Sequence, residues 1–163
     1  MENKTLVEKN FLENSVLVIR TFDAPLALVW RAYTESELLD QWWAPQPWKA
    51  ETQSMDFREG GFWLYALVNP KGEKHFGRMN YVEIAHHNYF KIEDVFCDEK
   101  GNYNPNIPVS KGKTSFTETP NGTSINFKMN YSPEVELKRI IEMGFENGIV
   151  ACFEQLEKLL TND

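Results

Sequence analysis

The chain has 163 residues with 17 basic against 24 acidic side chains, a formal net charge of −7; it lacks the basic footprint of a nucleic-acid binder and is ill suited to an anionic membrane surface. Hydrophobic residues at 42% and charged residues at 25% fit one soluble globular domain with a core of its own. Aromatic residues at 13%, five of them Trp, are abundant enough to imply a ring-packed core or an apolar cavity lined with rings.

Residues 1–13 are mixed and polar and read as an N-terminal arm, frayed unless Phe11 and Leu12 dock it, ahead of a single domain over 14–163. SVLVIRTF at 15–22 is β-branched and apolar, the mark of a strand. Asp23 is placed to cap a helix with Pro25 in its first turn, and Leu26, Val29, Trp30 and Tyr33 share one helical face. Thr34 followed by Glu37 has capping-box spacing for a second short helix that ends before Pro45.

From about 48 to 131 the pattern is strands separated by turns. Arg58-Glu59-Gly60-Gly61, Asn69-Pro70-Lys71-Gly72, Ala85-His86-His87-Asn88 and Pro120-Asn121-Gly122 punctuate it, and GNYNPNIP is a longer polar loop. In TSINFKMNY, Ile125, Phe127, Met129 and Tyr131 alternate with polar residues, as expected of an antiparallel sheet with one wet face. The chain then reads as one long helix of about 28 residues, capped by Ser132 and opened by Pro133, with Glu134 and Glu136 at its positive end. Its apolar stripe is Leu137, Ile141, Phe145, Ile149, Cys152, Leu156 and Leu160. The predicted class is α+β: a curved antiparallel sheet of about six or seven strands wrapped on a long C-terminal helix, with two short helices after the first strand.

The motifs Arg20-Thr21-Phe22-Asp23-Ala24-Pro25 with Val29-Trp30, Trp42-Trp43-Ala44-Pro45, Phe57-Arg58-Glu59-Gly60-Gly61-Phe62-Trp63 and Gly77 before Tyr81-Val82-Glu83-Ile84 carry a resemblance, closed by the segment from Gly148 to Leu156. Over about residues 14–160 the chain resembles the SRPBCC superfamily (START/Bet v 1-like). Within it, the chain is similar to the family named after the C-terminal domain of the activator of Hsp90 ATPase, the AHSA1-like proteins. The resemblance implies the helix-grip fold and an apolar hollow between sheet and helix. Members often carry Gly-Trp in the last helix, where this chain has Gly148-Ile149, so the size of ligand does not carry over.

The function expected is binding of a small hydrophobic or amphipathic molecule, such as a lipid, in that hollow. Alternation and the helix stripe nominate Trp43, Leu64, His75, Met79, Ile92, Phe127, Phe145 and Ile149 as lining residues. The alternative is an enzyme of hydrolase, cyclase or detoxification type in the same cavity, needing a polar group inside it. His75, Glu93 and Asp94 are its candidates, with no catalytic residue assigned. A third reading, an Hsp90-type co-chaperone, ranks behind both, because 163 residues leave no room for the separate N-terminal binding domain of the eukaryotic activator. No cofactor or metal is expected: Cys97 and Cys152 form no C-x-x-C and have no His at zinc-ligand spacing. The absence of an apolar leader or of a ~20-residue apolar run points to the cytoplasm and to no membrane insertion. A homodimer is left open.

Overall fold

The computed structural model describes residues 4–103, 109–132 and 137–161. After β1 (Leu6–Asn10) and β2 (Ser15–Phe22) come two short helices, α1 (Leu26–Thr34) and α2 (Ser36–Leu39). Six further strands follow: β3 (Lys49–Asp56), β4 (Phe62–Val68), β5 (Lys74–Ala85), β6 (Tyr89–Phe96), β7 (Ser110–Thr119) and β8 (Gly122–Asn130). The described residues end in α3 (Leu137–Glu142) and α4 (Phe145–Thr161). All eight strands join one antiparallel sheet in the order β1-β2-β8-β7-β6-β5-β4-β3, and α4 packs across its concave face, the helix-grip arrangement. No helix among the described residues is long and apolar enough to cross a membrane.

The sheet has one strand more than the upper expectation. LVEKN, read as part of a frayed arm, pairs with β2 from Leu6↔Ile19 to Asn10↔Ser15, because an edge strand needs apolar contact on one side only and Val7 supplies it. Phe11 and Leu12 do not dock; they are exposed in the turn that follows.

Two expected caps are also absent. Pro25, not Asp23, occupies the N-cap position of α1, and no side chain caps that helix. The Asp23 backbone N–H donates instead to Glu157 Oε2 on α4. Thr34 Oγ1 turns back to donate to Trp30 O, leaving α2 to start from Glu35 without a side-chain cap. Of the expected opening of the last helix, Pro133, Glu134 and Glu136 lie outside the described residues.

The single long helix is in fact two. Gly144 takes φ +93°, a left-handed conformation that ends α3 and lets α4 start afresh at Phe145. α4 is then anchored by polar contacts at three levels. Lys9 pairs with Glu146 at 2.8 Å. The buried Arg20 guanidinium reaches Glu154 at 2.9 Å and Glu157 at 3.4 Å. The Gln155 amide donates to Ala44 O (2.8 Å) and Trp42 O (3.3 Å) and accepts from the Gln46 N–H (2.9 Å).

The convex face is polar at its centre. There Lys91, Lys113 and Lys128 are direct register partners on β6, β7 and β8, flanked by Glu83 and Glu13 at 3.9 and 3.5 Å.

The two glycines of the last helices make opposite predictions. A Cβ at Gly144 is strained by the positive φ, whereas one at Gly148 meets open space in ordinary helix. Gly144→Ala is expected to cost about 1 kcal/mol and Gly148→Ala to add about 1 kcal/mol, read from urea midpoints. Equal effects of one sign would contradict the break at Gly144.

Candidate functional site

The concave face is crowded with rings because the inward positions of β4–β8 alternate apolar residues with few exceptions. Trp42 and Trp43 follow α2, and their rings meet edge to face with centres 5.3 Å apart. Trp42 is fully buried in the core, its Nε1–H donating to Ala32 O at 3.0 Å. Trp43 is half-buried, with its ring 5.1 Å from that of Trp63. On the helix side the Cys152 thiol donates to Trp43 O at 3.3 Å, and the Gln155 contacts hold the segment's carbonyls.

Between these walls lies an apolar cavity of about 30 Å³, room for about two waters. Of the predicted lining residues, Trp43, Met79, Ile92, Phe127 and Ile149 meet there. Three do not. Leu64 is buried but on the convex side, under the 98–103 loop, where Gly101 lies against it. Its neighbours Trp63 and Tyr65 are the inward pair. FWLYALV is apolar on both faces, so alternation alone cannot tell which set points in. His75 sits exposed at the start of β5 with its ring 5.6 Å from Trp48. Phe145 packs on the core from the first turn of α4 without bordering the cavity.

The cavity also takes Trp63, Tyr81, Phe153 and Thr114, which sequence reasoning missed. Tyr81 and Thr114 share the inward parity of Met79 and Phe116, a signal present but unused. Phe153 lies one turn beyond Ile149 and could have been found from the helix stripe.

Two positions along from the cavity-lining pair Trp63 and Met79, Gly77 lets its register partner Tyr65 lie over it. A Cβ there would stand 2.7 Å from the phenol oxygen. Trp63 stacks on the same ring at 4.3 Å. Burial raises the Tyr65 pKa well above its ordinary value, helped by the nearby Asp94 carboxylate, with Trp43 acting in the opposite sense. Tyr131, also near Asp94, is pushed up to about 12, mainly by burial.

Asp94 is an acidic residue at an inward sheet position, half-buried where Glu118, which shares that parity on β7, is exposed. Its register partners are Met79 on β5 and Ser110 on β7, and Ile92 lies two positions back on the same face. Glu93 points out to the convex surface beside Lys111 and Lys91. Asp94 makes no hydrogen bond to a described residue, and burial pushes its pKa up to about 7. No group of His, Cys, Asp and Glu suited to a metal occurs among the described residues.

The folded Asp94 thus holds its proton to about pH 7, whereas the unfolded chain releases it near 3.8. Between these values the folded state binds the extra proton, so stability falls as pH rises and the penalty is complete above the upper one. Asp94→Asn is expected to stabilise the protein at pH 8 by on the order of 3 kcal/mol, with the gain vanishing at about pH 4. Urea melts of both proteins at the two pH values check this, and equal stabilities at pH 8 would contradict it.

The geometry has many relatives. Protein Ms6760 of Mycobacterium smegmatis aligns over 98% of this chain and 99% of its own, with 28% identity and a TM-score of 0.86. A solution structure from Arthrobacter aurescens matches at 25% identity and TM-score 0.87 over 97% of this chain and 92% of that one. One from Staphylococcus epidermidis matches at 29% and 0.84, over 94% and 92%. No curated protein matches the chain. The sequence profile described as "Activator of Hsp90 ATPase homolog 1-like protein" covers residues 23–161. With that profile spanning most of its length and the helix-grip fold in place, the chain belongs to the activator of Hsp90 ATPase homolog 1-like family of the SRPBCC superfamily.

Proposed function

We propose that the protein binds a small hydrophobic or amphipathic molecule between the concave sheet and α4. The observation that carries this is the ring-lined cavity itself, which lies where sheet and helix meet and has Thr114 as its one aliphatic polar lining residue. At about 30 Å³ it describes a closed form, far below the 300 Å³ or so of a typical ligand pocket. Uptake therefore requires the wall to move. Trp43, Phe127 and Ile149 are half-buried parts of that wall, and the joint at Gly144 lies just before the turn of α4 that carries Ile149. The partner is then a small molecule, taken up from solution by a protein of the cytoplasm.

A second reading, an enzyme acting on the same molecule, is favoured by Asp94. A carboxyl with its pKa near 7 can give and take a proton at neutral pH. Turnover of a panel of aryl esters and epoxides, lost in Asp94→Asn, would support it; no turnover by the parent protein would count against it.

Native mass spectrometry of freshly purified protein is the direct test of binding. The expected result is an added mass that solvent extraction removes. Ile149→Trp, which fills the cavity with a ring that family members often carry there, is expected to lower loading at least about tenfold, equivalent to about 1.4 kcal/mol, with no loss of melting temperature. A parent protein that flies bare and gains no melting temperature from a lipid and polyketide panel overturns the proposal.

A further inference from the structure

Asp94 is an anomaly in its setting. Elsewhere the interior of this acidic chain matches charge with charge: Arg20 meets Glu154 and Glu157. Asp94 stands half-buried at its inward position, and no described residue forms an ion pair with it. Burial raises its pKa, and no cation among the described residues lowers it. Arg78, next to Asp94's register partner Met79, is committed on the opposite face of β5, donating to Asn80 Oδ1 and Gly101 O with its guanidinium 4.3 Å from the Phe62 ring centre. A carboxylate left this way is costly unless something supplies the missing positive charge.

Its neighbours fit the same missing group. Trp63, Met79, Asp94 and Ser110 form one rank across β4 to β7, and Trp63 and Met79 line the cavity. Trp43, Trp63 and Tyr65 cluster with ring centres 4.3 to 6.2 Å apart. The negative faces of aromatic rings attract cations, and a carboxylate beside several rings is the usual chemistry for holding an alkylammonium. A neutral or anionic head would leave Asp94 uncompensated or repelled.

We infer that the ligand carries a protonated amine on its apolar body, and that Asp94 receives the ammonium at the edge of the cavity beside Trp43, Trp63 and Tyr65. This rests on the cavity reading above and adds the class of ligand to it. Among the described residues, the titratable groups facing Asp94 are Tyr65 from β4, Tyr131 after β8 and Cys97 after β6, and all three are raised above their ordinary values. The carboxylates of α4 are turned elsewhere, Glu146 to Lys9 and Glu154 and Glu157 to Arg20. Of these groups, Asp94 is the one that changes charge between pH 5.5 and 8, while an alkylamine stays protonated throughout.

Decylamine, decanol and decanoate share one tail and differ only in the head. Titrated below their micellar concentrations and followed by Trp fluorescence, decylamine is expected to bind at least about tenfold tighter than decanol at pH 8, with decanoate weakest. That preference is expected to shrink at pH 5.5, where Asp94 is neutral. Asp94→Asn, which is not expected to impair folding, should abolish the amine preference at pH 8 and leave decanol binding within about twofold of the parent. If decanol or decanoate binds as well as decylamine, or the preference survives in Asp94→Asn, the inference is overturned while the cavity reading stands. If none of the three binds, the cavity reading falls and takes the inference with it.

Discussion

One primary amide holds the grip closed. Gln155 sits in the middle of α4 and uses its side chain on both sides, giving two hydrogen bonds to the carbonyls of Trp42 and Ala44 and taking one from the Gln46 N–H. Those carbonyls belong to an irregular segment with prolines at 45 and 47, which has no strand or helix partner to satisfy it. Buried backbone groups of that kind need a fixed partner, so the segment and the helix set each other's position. Trp42 and Trp43 are carried along by this arrangement, one into the core and one onto the cavity wall. The site is thus a product of where a loop is tied down, rather than of the strands alone.

Charge is distributed by the same logic of partnership. Arg20 is nearly as buried as the aliphatic core around it, and it is held by two glutamates one turn apart on α4 and by Thr5. Its arrangement ties the first long strand to the last helix across more than a hundred residues of sequence. Asp94 is half-buried on the inward face of β6, with rings and a methionine for company. The contrast separates a charge that serves the fold from one that the fold tolerates.

Much of this was legible in the residues. The β-branched run at 15–22, the clean alternation from Ile125 to Met129 and the turn signals at 58–61 and 120–122 each have a single local cause, and the structure follows them. The errors share a different origin. Asp23 and Thr34 have the chemistry of caps, but other partners are available to them or to their backbone, and tertiary contacts outweigh local preference. Gly144 and Gly148 look alike in sequence, and only their dihedral angles separate a break from an ordinary helical position. Leu64 was misplaced because β4 is covered on both faces, so the pattern that assigns a face was missing. His75 has the inward parity of Gly77 and Met79, but it lies past the end of the covered part of the strand. Alternation states direction; it does not state how far the roof extends.

The lysine row on the outer face has a consequence for how the protein keeps company. An open eight-stranded sheet offers a broad convex surface, and broad sheet surfaces associate with one another when nothing prevents it. Lys91, Lys113 and Lys128 stand side by side at its centre, an arrangement that is mildly unfavourable within one molecule. Two such faces brought together would set one cationic stripe against another in a shrinking layer of water. The small internal repulsion works as a spacer between molecules, and added salt thins it.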